Sequence, residues 1–203
     1  MFRFIKTLFT IIVLIFAVIG FMSVGGDRLV EDFLAKFIDH SKDARLERTR
    51  IVGDFTRIGE EFEVDKAIKL FGYTAVVSEH KASSQKMIVL EPGKNSFLSE
   101  KDISSGDLNR QIKDLSKKMS YKVKINDLKI TSHGMLTSYG KLVPYAKFEA
   151  DVERLPIRDL EGIISVVDDV QNGHARVLIS LNERGKYSNL IAREFFSKIK
   201  VAE

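Results

Sequence analysis

Cysteine and tryptophan are missing from the 203 residues, and there are only three prolines. The first absence removes disulfides, thiolate metal sites and cysteine nucleophiles together. It does not identify the redox compartment. So few prolines also leave no Pro/Gly/Ser-rich linker, so the composition does not divide the chain beyond residue 50. An excess of one charge is missing too. The net charge is +4, and Arg3 and Lys6 supply two of those cations at the N-terminus. A nucleic-acid binder carries a concentrated basic excess, so nucleic acid is not an expected partner.

Catalytic signatures are equally scarce. There is no HExxH, no CxxC, no Asp-rich calcium loop, no phosphate-binding GxxxxGK[ST] and no GxSxG elbow. The four histidines, His40, His80, His133 and His174, stand apart from one another in sequence. Gly93–Lys94 and Gly140–Lys141 lack the rest of a phosphate loop. Asp168–Asp169 and the cluster Glu60, Glu61 and Glu63 read as acids at element ends, where carboxylates are stabilised, rather than as acid–base pairs. The expectation is a protein that is not an enzyme, with no cofactor and no metal.

What the chain does have is one long apolar block. Thr7 to Gly26 contain no charged side chain, and at 1.5 Å per residue such a helix crosses a hydrocarbon core of about 30 Å. A signal peptide has a shorter apolar region, although Ser23 and Gly25 leave a cleavage point after Gly25. Arg3 and Lys6 precede the block and mixed charges follow it, so the positive-inside rule leaves the N-terminus in the cytoplasm. The expected layout is a cytoplasmic segment at 1–6, a transmembrane signal-anchor at 7–26, an amphipathic stalk helix and connector at 27–50, and an exported domain at 51–203. A short charged N-terminus and a compact exported part point to a bacterial inner membrane, with that domain periplasmic or otherwise extracytoplasmic.

The stalk expectation rests on Leu29, Val30, Phe33, Leu34, Phe37 and Ile38, which fall on one stripe of a helix. The stripe suits the membrane surface, a partner helix or the chain's own domain. The residues from 41 to 50 are polar and read as a helix end or connector.

Beyond them the pattern predicts an α+β fold of roughly αββ-αββ-αβα order with a mainly antiparallel sheet. Val64, Ala67, Ile68 and Phe71 give a helical face, and GYTAVVSEH and KMIVLE read as strands. Ser105 caps a second predicted helix carrying Leu108, Ile112, Leu115 and Met119. YKVKINDLKI and VPYAKFEADV follow as strands, the first with a shift of apolar phase that predicts a bulge near Asn126–Asp127. The stretch SHGMLTSYGKL between them reads as a loop.

After Pro156, Leu160, Ile163, Ile164 and Val167 fit a helix, the preferred reading, while their β-branching and Asn172–Gly173 fit a hairpin. In its hairpin form this stretch resembles the KOW module of NusG-type transcription factors, at Gly162, Asp168, Gly173 and Arg176. Nothing upstream is similar to the rest of that family and the apolar N-terminus contradicts its location, so no family is assigned. HARVLISLN reads as a strand, and Ser188 as the cap of a last helix through Leu190, Ile191, Phe195 and Ile199.

Two features are candidate contact surfaces. Arg110, Lys113, Lys117, Lys118, Lys122 and Lys124 form a basic strip suited to an anionic lipid or polymer or an acidic protein patch. Met135, Leu136 and Tyr139 are apolar residues on a predicted loop, the composition of a docking tip. Both fit a membrane-anchored accessory or assembly protein whose exported domain binds membrane or envelope proteins. The alternative is a membrane-tethered lipid- or ligand-binding domain.

Overall fold

The structure is a computed structural model, and it describes residues 42–70, 73–91, 99–104, 124–153, 159–170 and 174–202. Ten elements occur in these residues. They are α1 (Lys42–Val52), β1 (Phe62–Leu70), β2 (Tyr73–His80), β3 (Lys86–Glu91) and α2 (Glu100–Ser104), then β4 (Lys124–Ser138), β5 (Lys141–Glu153), β6 (Asp159–Val170), β7 (His174–Glu183) and α3 (Asn189–Lys198). The strands form one seven-stranded sheet in the order β1-β2-β3-β7-β6-β5-β4, every pair antiparallel.

The fold is therefore mostly β, with an antiparallel sheet as expected but fewer helices. The predicted helix over 59–71 is strand β1. Its register shifts between Val64 and Lys66, so the inward residues Phe62, Val64 and Ala67 fall at spacings of two and then three. That bulge turned a strand period into an apparent helical one. The stretch after Pro156 is strand β6, not a helix. Ile163 and Val167 face one side of the sheet while Val166 faces the other, and all three are fully buried. A strand covered on both faces loses its alternation. The expected loop SHGMLTSYGKL is also absent, since β4 and β5 run through it to a two-residue turn. The predicted bulge is present, between Ile125 and Asp127, and a second lies between Ile130 and Ser132. Residues 42–50, read as a helix end or connector, are most of helix α1.

The core lies on the face carrying Val76, Met87, Val89, Ile163 and Leu178. Helix α3 covers it with Ala192, Phe195 and Phe196, the last two completely buried. The Phe195 ring meets the edge of the Phe62 ring at 5.1 Å and of the Phe196 ring at 5.4 Å. Burying each such ring contributes roughly 1.5–3 kcal/mol. Ser188 sits at the N-cap position of α3, as predicted, but its side chain makes no cap bond. Gln85, wholly buried, holds its backbone instead: Ser188 N donates to Gln85 Oε1 at 2.8 Å, and Gln85 Nε2 donates to Ser188 O at 2.9 Å.

Helix α1 packs over β1, β2 and β3, and α2 lies on the other face of the sheet against β5 and β6. On that face Val77, Ile88 and Ile179 are also buried, which explains the continuous apolar runs of β2, β3 and β7. Past α3 the chain returns to α1, where Asp54 and Lys200 form an antiparallel bridge.

Among the described residues no helix is long and apolar enough to cross a membrane. The anchor at 7–26, the stalk over 27–40 and the predicted helix after Ser105 lie outside the described residues.

Candidate functional site

The β4–β5 hairpin combines exposed apolar side chains, a sheet edge that no strand among the described residues covers, and a fixed attachment to the core. Its turn is Tyr139–Gly140, with φ of +50° and +74°. Positive φ at both central residues is the type I′ turn, whose twist matches that of antiparallel strands. The closing pair is Ser138 with Lys141. Gly140 suits this geometry, having no Cβ. Tyr139 is unusual there, and its ring explains its presence. It is buried and donates from its hydroxyl to Val52 O at 2.7 Å. Burial holds that hydroxyl well above the usual phenol range.

Arg176 reaches the same point from β7. Its Nε donates to Val52 O at 3.2 Å and its Nη2 to Ile51 O at 2.9 Å. The last carbonyls of α1, which a helix leaves without intrahelical partners, are thus held by one buried arginine and one buried tyrosine. Burial draws the arginine's pKa below its ordinary value, partly offset by Tyr139 and Glu91. Tyr139 N also donates to Ile199 O at 3.2 Å, so the turn is fastened both to α1 and to the end of α3.

Between these anchors the strand alternates. Leu136 and Ser138 point into the core and are fully buried, whereas Met135 is 45% exposed. Gly134 faces inward under Tyr145, whose ring lies where a Cβ would stand, 2.6 Å away. On β5, Leu142 is 63% exposed and pairs with Thr137, next to the Met135–Pro144 pair. Met135, Thr137, Leu142 and Pro144 consequently share one face at the tip of the edge hairpin.

The structure divides the predicted contact residues. Met135 is at the surface. Leu136 and Tyr139 are in the core, because the segment is a strand and turn rather than a loop, and they hold the hairpin instead of offering contacts. Lys124 opens β4 opposite Glu153. Arg110, Lys113, Lys117, Lys118 and Lys122 lie outside the described residues. Leu142 was missed by the sequence reading, and the signal for it was alternation carried across a two-residue turn ending in glycine.

Two of the clustered acids, Asp168 and Glu61, have structural partners. Asp168 Oδ2 accepts from Glu100 N at 3.0 Å while Asp168 N donates to Glu100 Oε1 at 2.9 Å, joining α2 to β6. Lys198 Nζ donates to Glu61 Oε1 at 2.8 Å. His80 ends β2 with its Nδ1 2.9 Å from Ser83 Oγ, and His133 is exposed on β4. Among the described residues no three His, Asp or Glu side chains converge as a metal-holding group. The sequence matches no protein-family model and no curated protein.

Proposed function

We propose that the chain is a single-pass membrane-anchored accessory or assembly protein without catalytic activity, in a bacterial inner membrane, whose extracytoplasmic domain binds membrane or envelope proteins through the β4–β5 hairpin. The observation that carries this reading is the exposure of Met135 and Leu142 on one face of an edge hairpin whose base is pinned to α1 and α3. Apolar side chains held out on a rigid support form a contact surface that loses no loop entropy on binding. The uncharged run from Thr7 to Gly26 supports a tether. Confinement to a bilayer raises the local concentration of partners, as a short linker does, so a small surface suffices.

The test is native mass spectrometry of the tagged full-length chain in mild detergent, beside a photo-crosslinker placed at Leu142 in intact membranes. A discrete protein adduct, lost when Met135 and Leu142 are both changed to Asp, is the expected result. A solitary chain with no adduct overturns the reading. A bound lipid or small molecule without protein replaces it by the lipid- or ligand-binding alternative.

A further inference from the structure

The two edges of the sheet differ in how they are protected. Strand β1 carries Glu63, Asp65, Lys66 and Lys69 and is broken by its bulge. Charges and bulges of this kind block edge-to-edge pairing. From Ser132 to Ser138, β4 has neither. Residues 131–138, TSHGMLTS, contain no Lys, Arg, Asp, Glu or Pro, and from Ser132 to Ser138 the register with β5 is unbroken. Among the described residues no strand pairs with the outer side of β4. His133, Met135 and Thr137 are all exposed.

The turn determines which backbone groups point outward. In a two-residue hairpin the closing pair exchanges both hydrogen bonds, and alternate pairs do so along the ladder. Ser138, Leu136 and Gly134 therefore bond to β5, while His133, Met135 and Thr137 direct their N–H and C=O away from β5. Pro144 agrees with this register. It stands opposite Met135, at a position that does not bond to β4, and the β5–β6 ladder begins only at Tyr145.

We infer that this edge pairs with the same edge of a second copy of the chain, antiparallel, about a two-fold axis at Met135. This register sets Met135 against its own symmetry mate and His133 against Thr137 of the other copy. All three outward-facing residues are used, giving about six hydrogen bonds. A register shifted by one residue would set the core face of one sheet beside the opposite face of the other. A shift by two carries one of the three residues against the bulge or the turn. An uncharged edge brings no like charges together, and the pairing covers both copies of Met135. The axis is perpendicular to the joined sheet, so both α1 helices lie on its same side. Two chains tethered in one bilayer, as proposed above, need a two-fold axis along the membrane normal. This axis, with both α1 helices on one side, meets that condition, so a second copy fits the tether. The inference deepens the proposed function, resting on the hairpin as contact surface and naming the partner.

The absence of cysteine makes the test direct. Single and paired cysteines are introduced into the full-length chain, oxidised mildly in native membranes and scored for covalent dimer. Met135→Cys should give a dimer band at least about 10-fold stronger than the exposed control Leu190→Cys on α3, because paired Cα atoms about 5.5 Å apart lie within disulfide reach. His133→Cys and Thr137→Cys should each fail alone, their symmetry mates being about 14 Å away, but should crosslink when combined in one chain. Adding Met135→Lys to that double variant should abolish the band. The inference is overturned if Met135→Cys crosslinks no better than Leu190→Cys, or if all three single variants crosslink alike. An adduct with another protein at Leu142 without the Met135→Cys dimer overturns the inference and leaves the proposed function standing. Absence of both removes both.

Discussion

Arg176 and Glu91 lie 3.6 Å apart inside the domain, their side chains only 3% and 7% exposed. They sit one step beyond the Leu90–Val177 pair on the face of the sheet that α1 covers. The arginine has two tasks there, neutralising a buried carboxylate and holding the end of α1. Removing one member of a buried ion pair costs roughly 3–5 kcal/mol. Arg176→Ala should destabilise the full-length chain by that amount in urea unfolding. Arg176→Lys should recover only part of it, since a single ammonium cannot reproduce the guanidinium fork. Unfolding midpoints within experimental error of the wild type would refute this role.

Tyr139→Phe tests the hydroxyl separately. Val52 O keeps its bond from Arg176 Nε, so the loss should be near 1 kcal/mol rather than the larger cost of an orphaned carbonyl. The wild type should also lose stability in alkali. Burial raises the pKa of Tyr139 in the folded state, so its contribution is complete below the ordinary phenol range, near pH 10, and disappears as pH rises through the folded value. Phenolate absorbance should show a component that appears only with unfolding and is smaller in Tyr139→Phe.

In acid the relevant group is Glu161. Burial opposes its charge, but hydrogen bonds from Lys147 and Gly185 outweigh that and hold its pKa below the usual carboxylate range. A depressed carboxylate stabilises the fold above about pH 4, and its contribution is lost as pH falls through the folded value. Glu161→Gln should therefore lower the urea midpoint at neutral pH and flatten its decline below pH 4. An unchanged slope would exclude Glu161 as a source of acid sensitivity.

Gly134→Ala probes the inner face of the edge strand. The added methyl would meet the Tyr145 ring at 2.6 Å, and displacing that ring breaks its hydroxyl's 3.0 Å bond from Asn189 Nδ2. A cost of about 1–3 kcal/mol is expected from overpacking. Gly140→Ala meets nothing within 4 Å, and its cost, about 1–2 kcal/mol, comes from the left-handed backbone alone. Thermal unfolding of the two variants should show Tyr145→Ala relieving the first and not the second.

These residues also mark what could be read from sequence. Strands β2, β3 and β7 were legible because central strands bury both faces and leave uninterrupted Val, Ile and Leu. Helix α3 was legible from the spacing of Ile191, Phe195 and Ile199. The bulge near Asn126 showed itself as a phase shift. A bulge hid β1, because one extra residue makes period two resemble period 3.6, and double burial hid β6. Of the three apolar residues read as exposed, Met135 is at the surface, and Leu136 and Tyr139 are buried. Small residues such as Gly134 and Ser138 read as loop when the ring that covers Gly134 comes from the next strand. The clamp of Arg176 on Ile51 and Val52 spans more than a hundred positions and leaves no local pattern.

The placement of β3 beside β7 governs when the molecule can form. Ile88 pairs with Ile179, and Gln85 holds Ser188, so the centre of the sheet joins segments made far apart in time. As the chain emerges, β1, β2 and β3 assemble as a meander with one apolar edge open until β7 is synthesised. The Asp54–Lys200 bridge waits until residue 200 is made. Contacts so distant in sequence slow folding and lengthen exposure of unpaired strands. A ribosome stalled before residue 174 would present an open β3 edge, the stage at which a chaperone has most to protect.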